Sequence, residues 1–269
     1  MSGLSDQASQ NLERVREKKP LIHNITNFVV MNFTANVLLA MGASPVMAHA
    51  HNEVEEMVSL AGALVLNIGT LTDEWVRSMI TAGRKASERG IPVILDPVGA
   101  GATRLRTESA KKIIGETRIS VIRGNASEIL SLVGDKSSTK GVDSIHAVEE
   151  VTETASKLAQ DLSTTIAITG PVDFITDGER SFRVYNGHPL MGYVTGTGCA
   201  ATVAIGAFLA VDRCPATAAA TALAYFGLAG EEAARTASGP GSFMTAMLDA
   251  LYTITPEMLK NKSRIDVLP

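Results

Sequence analysis

Short apolar segments alternate with longer amphipathic segments along the first two thirds of the chain. An apolar run of about four to eight residues between turn residues is typical of a buried strand, whereas apolar residues at helical spacing indicate a surface helix. The alternation predicts an α/β fold with a mostly parallel central sheet flanked by helices on both faces. The predicted strands are residues 21–25, 45–48, 63–68, 92–95, 119–122 and 165–168.

Helices are predicted before and between these strands. Thr26 and Asn27 can cap one of them, and Thr72 or Asp73 can cap another, because such side chains accept hydrogen bonds from the free amides of a first turn. The charged segment 134–143 is expected to form a mobile surface loop. The predicted helices are residues 5–17, 28–41, 53–60, 73–89, 108–114, 126–133 and 148–162.

The pattern changes after residue 170. Asp177-Gly178 separates two short apolar segments, 173–176 and 181–184, which is a strong signal for an antiparallel hairpin. The polar tail 260–269 has no predicted element. No linker or change of composition divides the chain, so we expect a single domain over residues 1–269. Three further helices are predicted at 198–211, 216–237 and 242–253.

Composition narrows the class of protein. Of the 269 residues, 45% are hydrophobic, and the net charge is −4 with no block of Lys or Arg, so nucleic-acid binding is not expected. The N-terminal segment has no apolar signal core, and no apolar run predicts a membrane span with any clarity, which favours the cytoplasm. Cys199 and Cys214, at opposite ends of one predicted helix, would be about 20 Å apart, too far for a disulfide.

Polar residues and glycines follow the predicted strands at the point where each strand ends. In an open parallel sheet, ligands bind beyond these carboxyl ends. Packing alone does not explain polar groups gathered at one edge of an otherwise apolar sheet. Met47 could line an apolar pocket there, although methionine is more often a core residue. The residues in question are Asn24, Asn27, Met47, Asn67, Gly69, Thr70, Asp96, Arg123, Asn125, Glu128, Thr169 and Gly170.

A glycine-rich turn, Thr195-Gly196-Thr197-Gly198, leads directly into an uncharged apolar segment. If a helix begins near Gly198, its first amides are unpaired and its dipole adds partial positive charge at the same place. The turn therefore predicts an anion site, and Cys199 would lie in that first turn. Many glycine-rich turns precede buried helices and bind nothing, so the turn alone decides little.

Asp96, Asn125 and Glu128 could hold a hard cation. Two carboxylates and an amide, with no His or Cys cluster, suit Mg²⁺ bound largely through water. Asp96 fits a turn residue before Pro97 equally well. Asn125 and Glu128, taken alone, fit a helix capping box better than a metal site.

Arg123 could neutralise a phosphate, and Thr169 with Gly170 could contact a nucleotide. A surface arginine and an ordinary strand exit are the alternatives for these positions. An anion site, a hard cation and a cationic side chain together favour phosphoryl transfer. The sequence contains neither GxxxxGK[ST] nor the protein-kinase motif set, which excludes those two classes.

Six segments, spread over nearly the whole chain, resemble the corresponding segments of one protein family. These are LIHNITN at 21–27, SPVM at 44–47, ALVLNIGT at 63–70, VILDPVG at 93–99, RGNASE at 123–128 and GTGC at 196–199. They are similar to the hydroxyethylthiazole kinases of the ribokinase-like superfamily. The resemblance implies a ribokinase-like fold and transfer of the ATP γ-phosphoryl group to the primary alcohol of 4-methyl-5-(2-hydroxyethyl)thiazole. This is a step of thiamine biosynthesis and salvage. It also implies Mg²⁺ and a homotrimer, with the thiazole pocket near subunit contacts.

The resemblance also implies roles for individual residues. Met47 and Gly196 would contact the thiazole, and Asn24, Asn27, Gly69 and Thr70 are weaker candidates for the same pocket. Arg123 and Thr169 would contact ATP. Asp96 and Glu128 would belong to the Mg²⁺ and phosphate region, with Asn125 supporting it. The anion hole would consist of Gly196, Thr197, Gly198 and Cys199.

One position departs from a common pattern of the superfamily. Many ribokinase-like sugar kinases have GxGD, whose Asp is the base, and Cys199 occupies that place here. A helix N-terminus lowers the pKa of a thiol, whereas bound ATP opposes a thiolate. We hypothesise that Cys199 is an inefficient base or mainly a shape and hydrogen-bond element.

Two other functions fit the same residues. A sister kinase acting on hydroxymethylpyrimidine or pyridoxal, or an ATP-dependent hydrate dehydratase, would share most of these motifs. A nucleotide-binding regulatory protein without catalysis belongs to a different class. The GTGC cysteine and the LIHNITN start favour the thiazole enzyme over the first group. The complete set of Asp96, Arg123, Glu128 and Gly198 argues against the second.

Overall fold

A computed structural model describes residues 3–133 and 145–268 of the chain, with no side-chain detail for 145–150. Nine strands occur in these residues: β1 Leu21–Ile25, β2 Ser44–Val46, β3 Ala63–Asn67, β4 Val93–Asp96, β5 Val121–Gly124, β6 Thr165–Ile168, β7 Asp173–Thr176, β8 Ser181–Val184 and β9 Ile265–Leu268. They form one sheet in the order β2-β1-β3-β4-β5-β6-β7-β8-β9. Strands β1 to β6 pair in parallel, and β7, β8 and β9 are antiparallel.

Helices cover both faces of this sheet. In the described residues they are α1 Leu4–Lys18, α2 Met31–Met41, α3 Val54–Leu60, α4 Asp73–Arg89, α5 Arg104–Glu116, α6 Ala126–Val133, α7 Ile145–Leu162, α8 Thr197–Leu209, α9 Pro215–Ala234, α10 Pro240–Thr253 and α11 Pro256–Lys262, with a 3-10 turn at Pro189–Tyr193. None of these helices combines the length and apolar character needed to cross a bilayer. The predicted α/β architecture is confirmed.

Two apolar cores lie on opposite faces of the sheet because alternate strand residues point in opposite directions. On β3, Val65 packs into the core beneath α1, α2, α8, α9 and α10. Its neighbours Leu64 and Leu66 pack into the core beneath α3 to α7. Because α8 is apolar on all sides and buried from Ala200 to Leu209, its first turn is held rigidly against the sheet.

Several boundaries differ from the prediction. Helix α2 begins at Met31 rather than Phe28, and Asn27 does not cap it, since its Oδ1 accepts the Val29 amide of a preceding turn instead. Helix α5 begins at Arg104, where Thr103 is the cap. The hairpin around Asp177 and the Thr72 cap of α4 are confirmed.

The C-terminal tail, which lacked a predicted element, forms α11 and the edge strand β9. Val267 is 63% exposed, so an edge strand of this kind shows little apolar alternation in its sequence. Cys199 and Cys214 are both free thiols and do not share a helix, because α8 already ends at Leu209 and Cys214 is the N-cap residue of α9. The predicted loop 134–143 lies outside the described residues.

Candidate active site

The carboxyl ends of the four central strands β3 to β6 bring polar side chains to the N-terminus of α8. Asn67 ends β3 and Asp96 ends β4, and the two are register partners. Arg123 lies on β5, and Thr169 follows β6. The polar residues predicted at the carboxyl ends of the strands therefore lie together at one edge of the sheet. They face the predicted glycine-rich turn.

Arg123 is the cationic centre of this edge. Its Nη2 donates a hydrogen bond to the Thr169 hydroxyl, and its Nη1 lies 3.7 Å from the Asp96 carboxylate. A Cβ atom at Gly198 would lie 2.7 Å from the same Nη1, so the absence of a side chain there lets the helix terminus meet the guanidinium. The residue is 9% exposed and its Nε has no partner in the described residues. A buried arginine with unused donors is suited to an anion.

Asp96 is completely buried at the centre of the site. Its Oδ2 accepts hydrogen bonds from Asn67 Nδ2 and Thr202 Oγ1, both at 2.8 Å. Its Oδ1 has no partner among the described residues. Burial raises the pKa of this carboxyl, and the nearby Arg123 charge opposes the shift. Thr202 was missed by the sequence reasoning, although its spacing of four from Gly198 places it on the same helix face.

Two asparagines connect Asp96 to Cys199. Asn67 Oδ1 accepts hydrogen bonds from Asn27 Nδ2 at 2.8 Å and from the Gly69 amide at 3.0 Å. Asn27 Nδ2 also lies 3.7 Å from the Cys199 sulfur. The structure therefore brings Asn27 and Gly69 into the hydrogen-bond network around Asp96.

Cys199 lies in the first turn of α8, as predicted. Burial raises the pKa of its thiol to about 12, and the Asp96 charge acts in the same direction. The helix N-terminus favours the thiolate, but burial outweighs this effect, which is consistent with the hypothesis that Cys199 is at most an inefficient base. Cys199 is a neutral thiol at neutral pH.

The turn before α8 presents free amides to the site. Gly196 is the N-cap residue with φ +84°, and a Cβ there would lie 2.6 Å from Val30 Cγ1, so glycine is required on both counts. The Thr197 hydroxyl donates to the Val194 carbonyl at 2.6 Å and serves the turn itself. Within the described residues, the amides of Gly198 and Cys199 have no acceptor. These two N–H groups lie at the positive end of α8 and are free to donate to an anion.

Asn125 and Glu128 form the capping box that the sequence left open. Asn125 Oδ1 accepts the Glu128 amide at 2.9 Å, and Glu128 Oε2 accepts the Asn125 amide at 2.8 Å. Glu128 Oε1 accepts the Gly99 amide at 2.8 Å, which fixes the loop after β4. No cluster of three or more metal-ligating side chains occurs in residues 3–133 and 145–268.

Three predicted pocket residues have no hydrogen bond to this cluster. Asn24 Nδ2 donates to the Ile22 carbonyl, and Thr70 Oγ1 accepts the Phe28 amide. Met47 follows β2, an edge strand of the sheet, and is half-buried. Thr70 thus orders the turn that follows Asn27. Met47 lies next to the edge strand β2, and strands β1, β3 and β4 separate β2 from Arg123 on β5.

A cavity of about 510 Å³ opens beside Arg123 and the N-terminus of α8. Apolar residues of α9 and the 3-10 turn line one wall, and the sequence reasoning missed all of them because they read as ordinary core positions. It also missed Asp173, whose pKa burial raises to about 7. An aspartate opening a short strand was the one available signal. The lining includes Arg123, Asn125, Thr169, Gly170, Asp173, Met191, Gly198, Leu223 and Phe226.

Arg106 of α5 is a further missed residue. Its guanidinium donates to the carbonyls of Ile68 and Gly69 after β3 and of Val98 after β4, at 2.7 to 3.2 Å. The arginine therefore holds together two loops that carry site residues. Its position within a surface helix left no distinguishing sequence signal.

Comparison with known proteins agrees with this geometry. The model of the hydroxyethylthiazole kinase family matches residues 12–257. A hydroxyethylthiazole kinase from Desulfotalea psychrophila is 64% identical over 265 residues, covering 98% of this chain and 97% of that protein.

Solved structures show the same relationship. The structure of a hydroxyethylthiazole kinase protein from Pyrococcus horikoshii OT3 has a TM-score of 0.91 and 47% identity, covering 98% of this chain and 99% of that one. A ribokinase-like superfamily protein from Enterococcus faecalis V583 has a TM-score of 0.61 at 15% identity, covering 92% and 89%, and shows the shared fold. The chain belongs to the hydroxyethylthiazole kinase family.

Proposed function

We propose that the chain transfers the γ-phosphoryl group of ATP to the primary alcohol of 4-methyl-5-(2-hydroxyethyl)thiazole, a step of thiamine biosynthesis and salvage. The observation that carries this proposal is the similarity, over the full length, to relatives named for this kinase.

We include in the same proposal that the protein is a homotrimer in the cytoplasm. Phe28 and Val29, 63% and 64% exposed on the turn after Asn27, support a subunit contact beside the pocket.

ATP is assigned to the cavity beside Arg123. The unused Nε and the exposed edge of the guanidinium would face phosphate oxygens, and the Thr169 hydroxyl fixes the guanidinium plane. The free amides of Gly198 and Cys199 would receive the γ-phosphate at the positive end of α8. Asn125 lines the same cavity and caps α6.

The residues around Asp96 fit Mg²⁺. Asp96 Oδ1 is a buried carboxylate oxygen without a donor, and a hard cation or its water would satisfy it. Glu128 keeps a lone pair on each oxygen beyond the two amide contacts and would hold the ion through water. Mg²⁺ would neutralise charge on the phosphate oxygens. Thr202 and Asn67 fix the orientation of the Asp96 carboxylate toward that position.

The acceptor alcohol is assigned to the side of the site that holds Asn27, Gly69 and Gly196. Met47, Asn24 and Thr70 would complete the thiazole pocket. Phosphoryl transfer depends mainly on positioning and charge stabilisation, because its transition state is loose. A neutral Cys199 thiol, held by Asn27, therefore serves as a shape and hydrogen-bond element beside the reacting oxygen.

A substrate panel tests the function directly. Purified protein with ATP and Mg²⁺ is offered the thiazole alcohol, hydroxymethylpyrimidine and pyridoxal, and ADP and phosphorylated product are followed together. We expect kcat/KM for the thiazole alcohol to exceed the other two by at least about 100-fold. Preference for another alcohol would assign a sister activity, and ATP binding without product would favour the non-catalytic alternative.

A further inference from the structure

The cavity beside Arg123 contains an acidic side chain to which the proposed reaction assigns no role. Asp173 opens strand β7 and lines the cavity together with Thr169 and Gly170. It is 9% exposed, which is unusual for a carboxylate. A buried acid at the wall of a nucleotide cavity requires a reason.

The contacts of Asp173 use half of its carboxylate. Oδ1 accepts the Gly170 amide at 3.0 Å, which closes the turn between β6 and β7. In the described parts of the chain no donor reaches Oδ2, and Arg123 attracts the carboxylate without forming an ion pair with it. Since Oδ2 is not one of the buried side-chain atoms that lack a partner, it keeps contact with solvent and is open to a ligand in the cavity that brings a donor.

Charge limits which part of ATP this donor can come from. Above its pKa of about 7 the Asp173 carboxylate repels phosphate, whereas the Arg123 guanidinium and the free amides of Gly198 and Cys199 attract it. Leu223 and Phe226 supply an apolar wall suited to a base. The groups of ATP that remain are neutral donors of the nucleoside: the ribose hydroxyls and the exocyclic amine.

We propose that Asp173 determines nucleotide specificity, with Oδ2 accepting a hydrogen bond from a neutral donor of the ATP nucleoside. The inference rests on the assignment of ATP to this cavity. The loop 169–172 would then have two functions, since Thr169 orients Arg123 toward the phosphates and the Gly170 amide orients Asp173 toward the nucleoside.

Binding of nucleotide analogues tests this proposal. Calorimetry measures the Kd of ATP, 2′-deoxy-ATP, 3′-deoxy-ATP and inosine triphosphate, each with Mg²⁺, for the wild-type protein and for Asp173→Asn. The asparagine retains an oxygen for the Gly170 amide and replaces Oδ2 by a donor. Asp177→Asn, just beyond the other end of the same strand, is the matched control. Asp173→Ser replaces the asparagine variant if that variant does not fold.

We expect Asp173→Asn to weaken ATP binding at least about tenfold and Asp177→Asn to leave it unchanged. One analogue should bind the wild-type protein about tenfold more weakly than ATP, and this difference should vanish in Asp173→Asn. A deoxy analogue would identify a ribose hydroxyl as the donor, and inosine triphosphate would identify the amine. Unchanged ATP affinity, or an equal loss for ATP and all three analogues, would overturn the proposal.

The same measurements separate this inference from the proposed function. Nucleotide binding does not require the acceptor alcohol. Binding of ATP without phosphorylation of the thiazole alcohol would therefore remove the kinase assignment and leave the role of Asp173 testable. Absence of ATP binding to the wild-type protein would overturn both.

Discussion

Gly198 and the Arg123 guanidinium are in direct contact: a Cβ added to the glycine would lie 2.7 Å from Nη1 and 2.9 Å from Nη2. The first turn of α8 and the cation of β5 thus approach as closely as the backbone allows. The proposed phosphate site depends on both, because α8 would supply amides and Arg123 would supply positive charge.

Gly198→Ala should displace Arg123. The preference of a helix for alanine over glycine, about 1 kcal/mol, opposes the loss of the buried contacts of Arg123 with Asp96 and Thr169, so the thermal midpoint should not rise. The KM for ATP should increase at least about tenfold, because a displaced guanidinium loses charge-assisted contacts with phosphate. Gly115→Ala on α5, where nothing lies within 4 Å of the added Cβ, is the control and should leave kinetics unchanged. Normal ATP kinetics in Gly198→Ala would mean that the Arg123 contact has no part in binding.

Cys199 should be replaceable. Because the pKa of its thiol is raised to about 12, no thiolate is available below about pH 9. Cys199→Ser and Cys199→Ala should keep kcat within about tenfold, and Cys199→Asp should match or exceed the wild type. The pH dependence of kcat between 6 and 9 should be the same in Cys199→Ser as in the wild type. A fall in kcat of about 1000-fold in Cys199→Ser would indicate instead that the Cys199 thiol acts as the base.

Alkylation provides an independent measurement on the same thiol. Cys214 has a lowered pKa through hydrogen bonds from Thr217 and Arg180, and it is half-buried. Iodoacetamide should therefore modify Cys214 before Cys199, since the thiolate is the reactive form. Mass spectrometry of the two peptides over time measures the order, and earlier modification of Cys199 would contradict its neutral state.

Thr202→Val should reduce activity through Asp96. The change removes the 2.8 Å hydrogen bond to Oδ2 and leaves Asn67 as the one neutral donor to that oxygen among the described residues. We expect kcat to fall about tenfold with little change in KM for ATP, because the Asp96 carboxylate would turn away from the Mg²⁺ position. Thr34→Val, which removes a buried hydroxyl bonded only to the Val30 and Met31 carbonyls at the start of α2, is the matched control. Equal losses in both variants would indicate a packing effect.

The sequence predicted that these polar side chains meet at one edge of the sheet, because residues at the ends of neighbouring parallel strands lie side by side. Asp96, Arg123 and Thr169 end or follow parallel neighbours, so the sheet had to bring them together. Two cavity residues lie elsewhere in the fold: Asp173 begins the antiparallel strand β7, and Phe226 lies on α9. No local pattern tells which face of an apolar helix lines a cavity, so these residues required the structure.

The metal assignment shows a different limit of the sequence. Asn125 and Glu128 share a helix face, and this spacing, although compatible with a cation site, fits a capping box better. The structure contains the capping box, while the buried free oxygen that supports Mg²⁺ belongs to Asp96. The spacing of residues along the sequence does not show which carboxylate oxygens already accept hydrogen bonds within the folded protein.

Glu128→Gln should separate the capping role from the metal role. Glutamine accepts one amide hydrogen bond and has no charge, so the thermal midpoint should fall by only a few degrees, consistent with a cap contribution of about 1 kcal/mol. The Mg²⁺ concentration for half-maximal activity should rise at least about fivefold, because a charged oxygen near the ion is lost. Glu108→Gln, on the exposed surface of α5, is the control. An unchanged Mg²⁺ requirement would confine Glu128 to capping.

Asp173 should make stability depend on pH in a direction unusual for a carboxylate. Burial raises its pKa from 3.8 to about 7, against the attraction of Arg123, the charged group that faces it. The protonated Asp173 adds to the free energy of unfolding. This addition is complete below pH 3.8 and is lost as the pH rises to about 7, because the unfolded chain releases its proton at a lower pH than the folded chain does. Asp173→Asn should therefore gain up to about 4 kcal/mol relative to the wild type between pH 4 and pH 8.

Denaturant unfolding at intervals of half a pH unit measures this difference. Asp177→Asn is the control of opposite sign: the lowered pKa of Asp177 contributes stability above pH 3.8, so its removal should cost stability at neutral pH and little near pH 3. A difference between Asp173→Asn and the wild type that stays constant across pH 4 to 8 would show that Asp173 titrates normally. Addition of saturating ATP should then shrink the gain at pH 8, because a ligand donor at Oδ2 stabilises the charged carboxylate that the asparagine lacks.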